Sequence, residues 1–74
     1  MKRLLFVDDE PQILDGLRDA LHRQRLQWDM TFCTSGPDAL RAMDGGAFDV
    51  VVSDMRMPGM DGAELLRRIK ERHP

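Results

Sequence analysis

Two largely apolar runs that each end at an aspartate constrain the fold of this chain more than any other feature. Leu-Leu-Phe-Val at positions 4–7 precedes Asp8 and Asp9, and Val-Val-Val-Ser at positions 50–53 precedes Asp54. Short runs of this kind are typical of strands that are covered on both faces, as in a parallel sheet. Because the carboxyl ends of parallel strands meet at one edge of a sheet, the sequence predicts an acidic cluster at that edge.

The segments between these runs have helical periodicity. Pro11 fits the first turn of a helix that ends near Gln24. A second helix begins with Ser35 as its N-cap and is stopped by Gly45-Gly46. In the first helix, four apolar residues recur at helical spacing and predict one buried stripe: Ile13, Leu14, Leu17 and Leu21.

The remaining elements complete three βα units. Residues 28–33 alternate apolar and polar side chains, which predicts a half-covered edge strand. Asp61 can cap a third helix, whose inward-facing residues are predicted to be Leu65, Leu66 and Ile69. Alternating strands and helices predict an α/β fold with right-handed crossovers. With the strand order 2-1-3, the cleft opens between the carboxyl ends of the first and third strands.

Composition narrows the classes of protein to which this chain can belong. Residues 1–74 are enough for one small domain, and the net charge of -2 gives no indication of nucleic acid or an anionic membrane as a partner. The apolar run at positions 4–7 is too short for a signal peptide. A single cysteine, Cys33, excludes an internal disulfide and favours a cytoplasmic location.

A cluster of three carboxylates is costly without a cation, because like charges repel. Mg²⁺ suits Asp8, Asp9 and Asp54, since it prefers oxygen ligands and keeps several waters. Zn²⁺ does not, because the chain has no suitable set of cysteines and histidines. A carboxylate beside such an ion can accept a phosphoryl group as an acyl phosphate.

At these residues the sequence resembles the receiver domain of two-component response regulators. The resemblance covers the whole chain and is carried by Phe-Val-Asp-Asp-Glu-Pro at positions 6–11, by the stretch from Thr-Ser-Gly at positions 34–36 to Ala-Leu at positions 39–40, and by Val-Ser-Asp-Met-Arg-Met-Pro-Gly-Met-Asp-Gly at positions 52–62. It implies a flavodoxin-like, three-layer α/β fold, of which this chain would form the N-terminal (βα)3 portion of a (βα)5 domain.

The resemblance also implies a role for each site residue. Asp54 corresponds to the phosphoacceptor, Asp9 to a direct Mg²⁺ ligand, Asp8 to its companion acting through a water, and the backbone carbonyl of Arg56 to a third ligand. The phosphoryl donor would be a phosphohistidine on a sensor histidine kinase or phosphotransfer protein. Any catalysis would be autocatalytic acceptance on Asp54 rather than turnover of a substrate. The family's docking surface for the kinase corresponds to Gln12, Ile13 and Gly16, although Ile13 equally fits a core position.

The chain departs from the family pattern after its third βα unit. The family's switch Ser/Thr ends a fourth strand and its phosphate-binding Lys ends a fifth, and neither has a counterpart in residues 1–74. Two contacts to the phosphoryl oxygens are therefore missing, and phosphorylation should be slower than in a complete receiver domain. The third strand becomes an edge, which predicts self-association through that strand or by exchange of elements between copies. A non-phosphorylated binding or assembly module is thus the alternative function.

Other interpretations of the same residues remain open at this level. Asp8 and Asp9 also suit a helix cap. Methionines 55, 57 and 60 can be Cu(I) ligands but are more often apolar filler. A haloacid dehalogenase-type hydrolase also uses a strand-end Asp, but it needs a second acid two residues later, where Arg56 follows Asp54 and Glu10 follows Asp8. Cys33 is predicted to be a buried thiol, and His22 and His73 to be surface residues.

Overall fold

The computed structural model of this chain describes residues 1–72 and contains a three-stranded parallel sheet with the order β2-β1-β3. His73, which was predicted to be a surface residue, and Pro74 lie outside the described residues. The elements in chain order are β1 (Lys2–Val7), α1 (Pro11–Ala20), a 3₁₀ turn (His22–Leu26), β2 (Trp28–Cys33), α2 (Gly36–Asp44), β3 (Val50–Ser53) and α3 (Gly62–Arg72). The predicted α/β fold and strand order are confirmed.

Strand β1 is the centre of the sheet and pairs in parallel with both neighbours. Its last residue, Val7, lies opposite Cys33 of β2 and Ser53 of β3. All three strands therefore end at the same level. The residues that follow β1 and β3 emerge side by side, as the apolar runs predicted.

The two faces of the sheet carry separate apolar cores, because successive side chains of a strand point to opposite faces. On one face, α2 and α3 pack over a cluster of buried residues: Leu5, Val7, Ala39, Leu40, Met43, Met57, Leu65 and Ile69. On the other face, α1 packs over a smaller cluster: Leu4, Phe6 and Leu14. Helices on both sides give the three layers expected of this topology.

The first helix is shorter than its periodicity predicts. It ends at Ala20, and the chain continues as the 3₁₀ turn, which contains no buried residue. Without an apolar face to bury, these residues gain nothing from continuing the α-helix. The predicted stripe is also only partly right, because Leu14 is buried whereas Ile13 is 48% exposed.

The third strand is not buried on both faces. Val50 and Val52 are 45% and 50% exposed, and in α3 the predicted inward residue Leu66 is 38% exposed. The register pairs Val50 with Leu4 and Val52 with Phe6, so both valines lie on the α1 side of the sheet. Within the described residues, α1 covers β1 and β2 on that side and leaves β3 open.

Two of the predicted helix caps are confirmed. The hydroxyl of Ser35 accepts a hydrogen bond from the Asp38 N–H at 3.2 Å, and a carboxylate oxygen of Asp61 accepts one from the Glu64 N–H at 2.8 Å. These bonds fix the starts of α2 and α3, which frame the loops at the carboxyl edge of the sheet. Of the helices in residues 1–72, none has the length and apolar character needed to cross a bilayer.

Candidate functional site

The sheet itself positions two of the predicted acidic residues. The Asp8 N–H donates to the carbonyl of Cys33 at 3.1 Å, and the Asp54 N–H donates to the carbonyl of Val7 at 2.9 Å. These bonds continue the strand pairing by one residue on each side of β1. The two aspartates are thereby anchored to the ends of the paired strands, and a site built on strands is positioned more precisely than one on loops.

The three aspartates converge as the sequence predicts. One carboxylate oxygen from each of Asp8, Asp9 and Asp54 lies within 4.8 Å of the others, and all three residues are half-buried. No other group of at least three histidine, cysteine or acidic side chains in residues 1–72 converges in this way. The carboxyl edge of the sheet is therefore the candidate cation site of this chain.

Backbone amides orient two of the carboxylates. The Glu10 N–H donates to Oδ1 of Asp8 at 2.9 Å, and the Arg56 N–H donates to Oδ1 of Asp54 at 3.0 Å. Each carboxylate thus has one oxygen held by the loop and a second oxygen that can take a further ligand. The interpretation of Asp8 and Asp9 as caps of α1 is wrong, because the N-cap residue is Glu10 and it makes no side-chain capping bond.

The loop after Asp54 approaches the start of α3 so closely that only glycine fits there. A Cβ on Gly62 would lie 2.6 Å from the Asp54 carbonyl oxygen and 2.8 Å from Cα of Met55. Within the same loop, Gly59 adopts a positive φ of 77°, which a side chain would strain. These two glycines set the path of the loop that carries Arg56. The Arg56 carbonyl as a metal ligand stays a prediction.

The methionines of this loop serve different environments. Met57 is buried in the α2–α3 core, and Met60 packs against the same core and against Gly36 at the start of α2. Met55 is 53% exposed. This arrangement favours apolar filler over a Cu(I) site, since thioether ligands have to converge on one point.

A cleft of about 410 Å³ opens beside the acidic cluster, on the α1 side of the sheet. Its walls include Phe6, Ile13, Leu17 and Val52, and Asp54 lies at its edge. Ile13 was predicted as part of a docking surface, but Val52 was not predicted as part of the site, because the run at positions 50–53 suggested a strand buried on both faces. The signal that identifies Val52 is its separation from Asp54 by two residues, which places both on one side of the strand.

The donor set fits Mg²⁺. An octahedral ion with bonds of about 2.1 Å places neighbouring ligands about 3 Å apart and opposite ligands about 4 Å apart. The oxygens of the three carboxylates lie within 4.8 Å of one another, which is close to these ligand separations. Rotation of the side chains, or a water between one carboxylate and the ion, makes up the difference. Zn²⁺ fits less well, because no histidine or cysteine belongs to the cluster among the described residues.

The other predicted residues occupy ordinary positions. Gln12 and Gly16 are exposed on α1, in keeping with a docking surface, and a Cβ on Gly16 would meet nothing within 4 Å. His22 is exposed as predicted. Cys33 is half-buried rather than fully buried, and its burial raises the pKa of the thiol, which leaves it less reactive at neutral pH.

Comparison with known proteins assigns this geometry to a family. The family model described as the response regulator receiver domain matches residues 4–74. Among curated proteins, the chain is 39% identical over 69 residues to the transcriptional regulatory protein TrcR of Mycobacterium tuberculosis, which covers 93% of this chain and 26% of TrcR. The chain therefore spans about a quarter of that relative.

Solved structures give the same assignment. A response regulator receiver domain protein from Clostridium thermocellum superposes with a TM-score of 0.87 at 30% identity, covering all of this chain and 59% of that one. TrrA of Thermotoga maritima, in complex with Mg(2+)-BeF, superposes with a TM-score of 0.84 at 36% identity, covering 99% of this chain and 62% of TrrA. TrrA is also known in complex with the histidine kinase ThkA, with a TM-score of 0.83 at 36% identity over 97% of this chain and 60% of TrrA. The matches do not support a haloacid dehalogenase-type hydrolase, and the chain belongs to the response regulator receiver domain family.

Proposed function

We propose that residues 1–74 are the N-terminal part of a phosphoacceptor receiver module, in which Asp54 accepts a phosphoryl group in a reaction that needs Mg²⁺. The observation that carries this proposal is the convergence of the Asp8, Asp9 and Asp54 carboxylates within 4.8 Å at one edge of the sheet. Family membership and the TrrA complex with Mg(2+)-BeF support it.

The phosphoryl step transfers one group between two nucleophiles. A carboxylate oxygen of Asp54 attacks phosphorus and forms the O–P bond of an acyl phosphate, while the N–P bond of the donor phosphohistidine breaks and the imidazole leaves with the electron pair. The Arg56 N–H holds Oδ1 of Asp54 at 3.0 Å, so Oδ2 is the oxygen best placed to attack. The half-buried position of Asp54 leaves it accessible to a donor on the open side of the sheet.

In this proposal, Asp8, Asp9, Asp54 and the Arg56 carbonyl hold the Mg²⁺. A bound Mg²⁺ neutralises charge on the phosphoryl oxygens during in-line transfer. The chain's own contribution is to hold the carboxylates in place before the donor arrives. The backbone hydrogen bonds from Asp8 to Cys33 and from Asp54 to Val7 hold these residues in place in the folded chain. Little conformational freedom is then lost when the ion and the donor bind.

The proposed donor is a sensor histidine kinase or phosphotransfer protein that docks on the first turns of α1. Gln12, Ile13 and Gly16 are exposed there, and Ile13 is 48% exposed beside the cleft that leads to Asp54. An exposed isoleucine next to a reactive group suits a docking contact better than a core position. The TrrA complex with ThkA supports the class of partner. A cytoplasmic location is part of the same proposal and agrees with the single, half-buried Cys33.

The test is intact-protein mass after incubation with acetyl phosphate, with and without Mg²⁺. We expect one phosphoryl adduct on the wild type in the presence of Mg²⁺ and none on Asp54→Asn. Asp19→Asn, a matched change at an exposed position of α1, should keep the adduct. A folded wild type that gains no adduct, or an adduct that persists in Asp54→Asn, would contradict the proposal.

A second candidate function, assembly without phosphate, is favoured by the exposed edge of the sheet. Within residues 1–72, β3 is an outer strand, and the side chains of Val50 and Val52 are about half exposed on it. Unpaired backbone groups and apolar side chains on one edge strand are a template for another chain. In this alternative, two copies associate through β3 or exchange elements.

Sedimentation at micromolar concentration separates the two functions. The assembly function requires a dimer that Val52→Lys dissolves, whereas Lys70→Val on the exposed face of α3 should leave the oligomeric state unchanged. A monomer over the whole concentration range rules out the assembly function. A phosphoryl adduct on that monomer supports the phosphoacceptor function by itself.

A further inference from the structure

A second pocket of the molecule lies away from the acidic edge and shares no residue with the cleft beside Asp54. It has a volume of about 560 Å³ and lies between the end of α1, the 3₁₀ turn and the outer strand β2. This volume is within the range of small-molecule sites, about 300–1,000 Å³. Neither the receiver site nor the proposed function uses it.

The strand side of this pocket is aromatic and apolar. Trp28, Met30 and Phe32 line it from the α1 face of β2, and all three are only half-buried. Phe32 stacks against Phe6 of the neighbouring strand, with ring centroids 5.2 Å apart and planes 14° apart. Because Arg18 lies over the Phe32 ring as well, Trp28 is the aromatic residue of this strand on which a further planar ring can stack.

The helix side of the same pocket is cationic. Arg18, His22 and Arg25 line it, and the guanidinium of Arg18 lies 4.5 Å above the centroid of the Phe32 ring. The Arg25 side chain is folded back along the turn, where Nη1 donates to the His22 carbonyl at 2.8 Å. Arg18 therefore stands over the aromatic surface and Arg25 lines the same side of the pocket, and both have guanidinium donors that suit a carboxylate or a phosphate.

Local acids do not neutralise these cations fully. Asp29, the acidic residue among the pocket's described lining, is paired with Arg3 at 3.2 Å. Asp15 reaches Arg18 only at 3.4 Å, and both side chains are more than half exposed, which makes this ion pair weak. The pocket thus has an excess of positive charge next to a planar apolar surface.

We infer that this pocket binds a planar aromatic anion. In this arrangement the ring stacks on Trp28 and packs against Met30, and the negative group meets the guanidinium groups of Arg18 and Arg25. The shared chemistry is an aromatic ring that bears a carboxylate or a phosphate. The arginines lie on one side of the pocket and the apolar strand residues lie on the other. We therefore expect binding to require both the negative group and the ring of the ligand.

Trp28 is the sole tryptophan of the chain, so its indole N–H gives a single, assignable signal in a ¹H–¹⁵N spectrum. We would titrate the full chain with naphthoate and, separately, with adenosine monophosphate, using naphthalenemethanol and adenosine as neutral partners. We expect at least one anion to shift the indole signal saturably, and its neutral partner to bind about tenfold more weakly, as loss of a charge-assisted hydrogen bond predicts. Response to naphthoate alone or to the nucleotide alone identifies the carboxylate or phosphate class.

Exposed-site variants sharpen this test, because they leave the core unchanged. Arg18→Gln and Arg25→Gln should each weaken binding several-fold, whereas Arg41→Gln, an exposed arginine on the other side of the sheet, should not. The inference is overturned if neither anion shifts the Trp28 signal at millimolar concentration. Equal binding of the neutral partners, or equal loss in Arg41→Gln, overturns it as well.

Discussion

On the α2 and α3 side of the sheet, Leu5 and Leu65 expose no surface, whereas on the α1 side Val50 and Val52 expose 45% and 50% of theirs. The same strand, β1, supplies the inner residues of both sides. The closed side holds the larger buried cluster, and the open side leads to Asp54 through the cleft beside Ile13. Stability and access to the candidate reactive group are therefore assigned to opposite faces of one sheet.

The acidic edge belongs to both faces, because the loops that follow β1 and β3 pass over the end of the sheet. The loop after Asp54 descends to the closed side, where Met57 is buried and Gly62 begins α3. A change in the closed core can thus move the loop that holds the Asp54 carboxylate. A change on the open face should alter access or association while leaving the fold intact.

The largest effect is expected from a cavity in the closed core. Leu65→Ala should lower the free energy of unfolding by about 2–5 kcal/mol, because Leu65 has no exposed surface. Val52→Ala on the open face should cost less than about 1 kcal/mol. Urea denaturation followed by circular dichroism measures both. Equal losses in the two variants would remove the contrast between the faces.

The next effect tests the close approach between α3 and the Asp54 loop. Gly62→Ala should lower stability by about 1–3 kcal/mol, because its Cβ would lie 2.6 Å from the Asp54 carbonyl oxygen. It should also slow phosphorylation by acetyl phosphate, since the loop has to shift. Gly16→Ala, where a Cβ meets nothing within 4 Å, should be neutral or stabilising by up to about 1 kcal/mol. A Gly62→Ala variant with the stability and the phosphorylation rate of the wild type would show that the loop can move to accommodate the methyl group without cost.

A smaller loss is expected from the cap of α3. Asp61→Ala removes the 2.8 Å bond from the Glu64 N–H and should cost about 1 kcal/mol. Asp61→Ser should recover most of the loss, because a hydroxyl can accept the same bond. Thermal denaturation compares the three proteins. Failure of serine to recover any stability would mean that the charge of Asp61, rather than the cap, is what matters.

The smallest effect concerns the exposed charge network on α3. Hydrogen bonds from Arg67 and then Arg68 lower the pKa of Glu64 from 4.5 to about 2. Because the folded-state pKa is depressed, the stabilisation is present above pH 4.5 and is lost as the pH falls towards 2. Glu64→Gln should flatten the stability profile slightly across that window, and solvent screening keeps the effect small. Glu71→Gln is the matched control, and an identical profile in both variants would contradict the assignment to Glu64.

Local sequence patterns predicted the strands and two of the helix starts. Apolar runs ending at Asp8 and Asp54 identified the strands, and the caps Ser35 and Asp61 marked two helix starts, because each depends on contacts within a few residues. The convergence of the three aspartates was also predictable, since parallel strands align their carboxyl ends. Roles in phosphoryl transfer remain proposals for Asp8, Asp9, Asp54 and Arg56.

The exposed fraction of apolar side chains at the edge of the core could not be predicted in the same way. Val52 and Ile13 have the side chains of core residues, yet both are about half exposed, and Leu66 is 38% exposed. The sequence by itself determined where the strands lie, where the helices begin and which carboxylates meet, because strand patterns and helix caps act locally and parallel strands align their carboxyl ends. Only the tertiary structure decided which face is closed, how near Gly62 comes to Asp54, and where a pocket forms beside Trp28. Each of these depends on which element packs over another, and no short-range pattern records that.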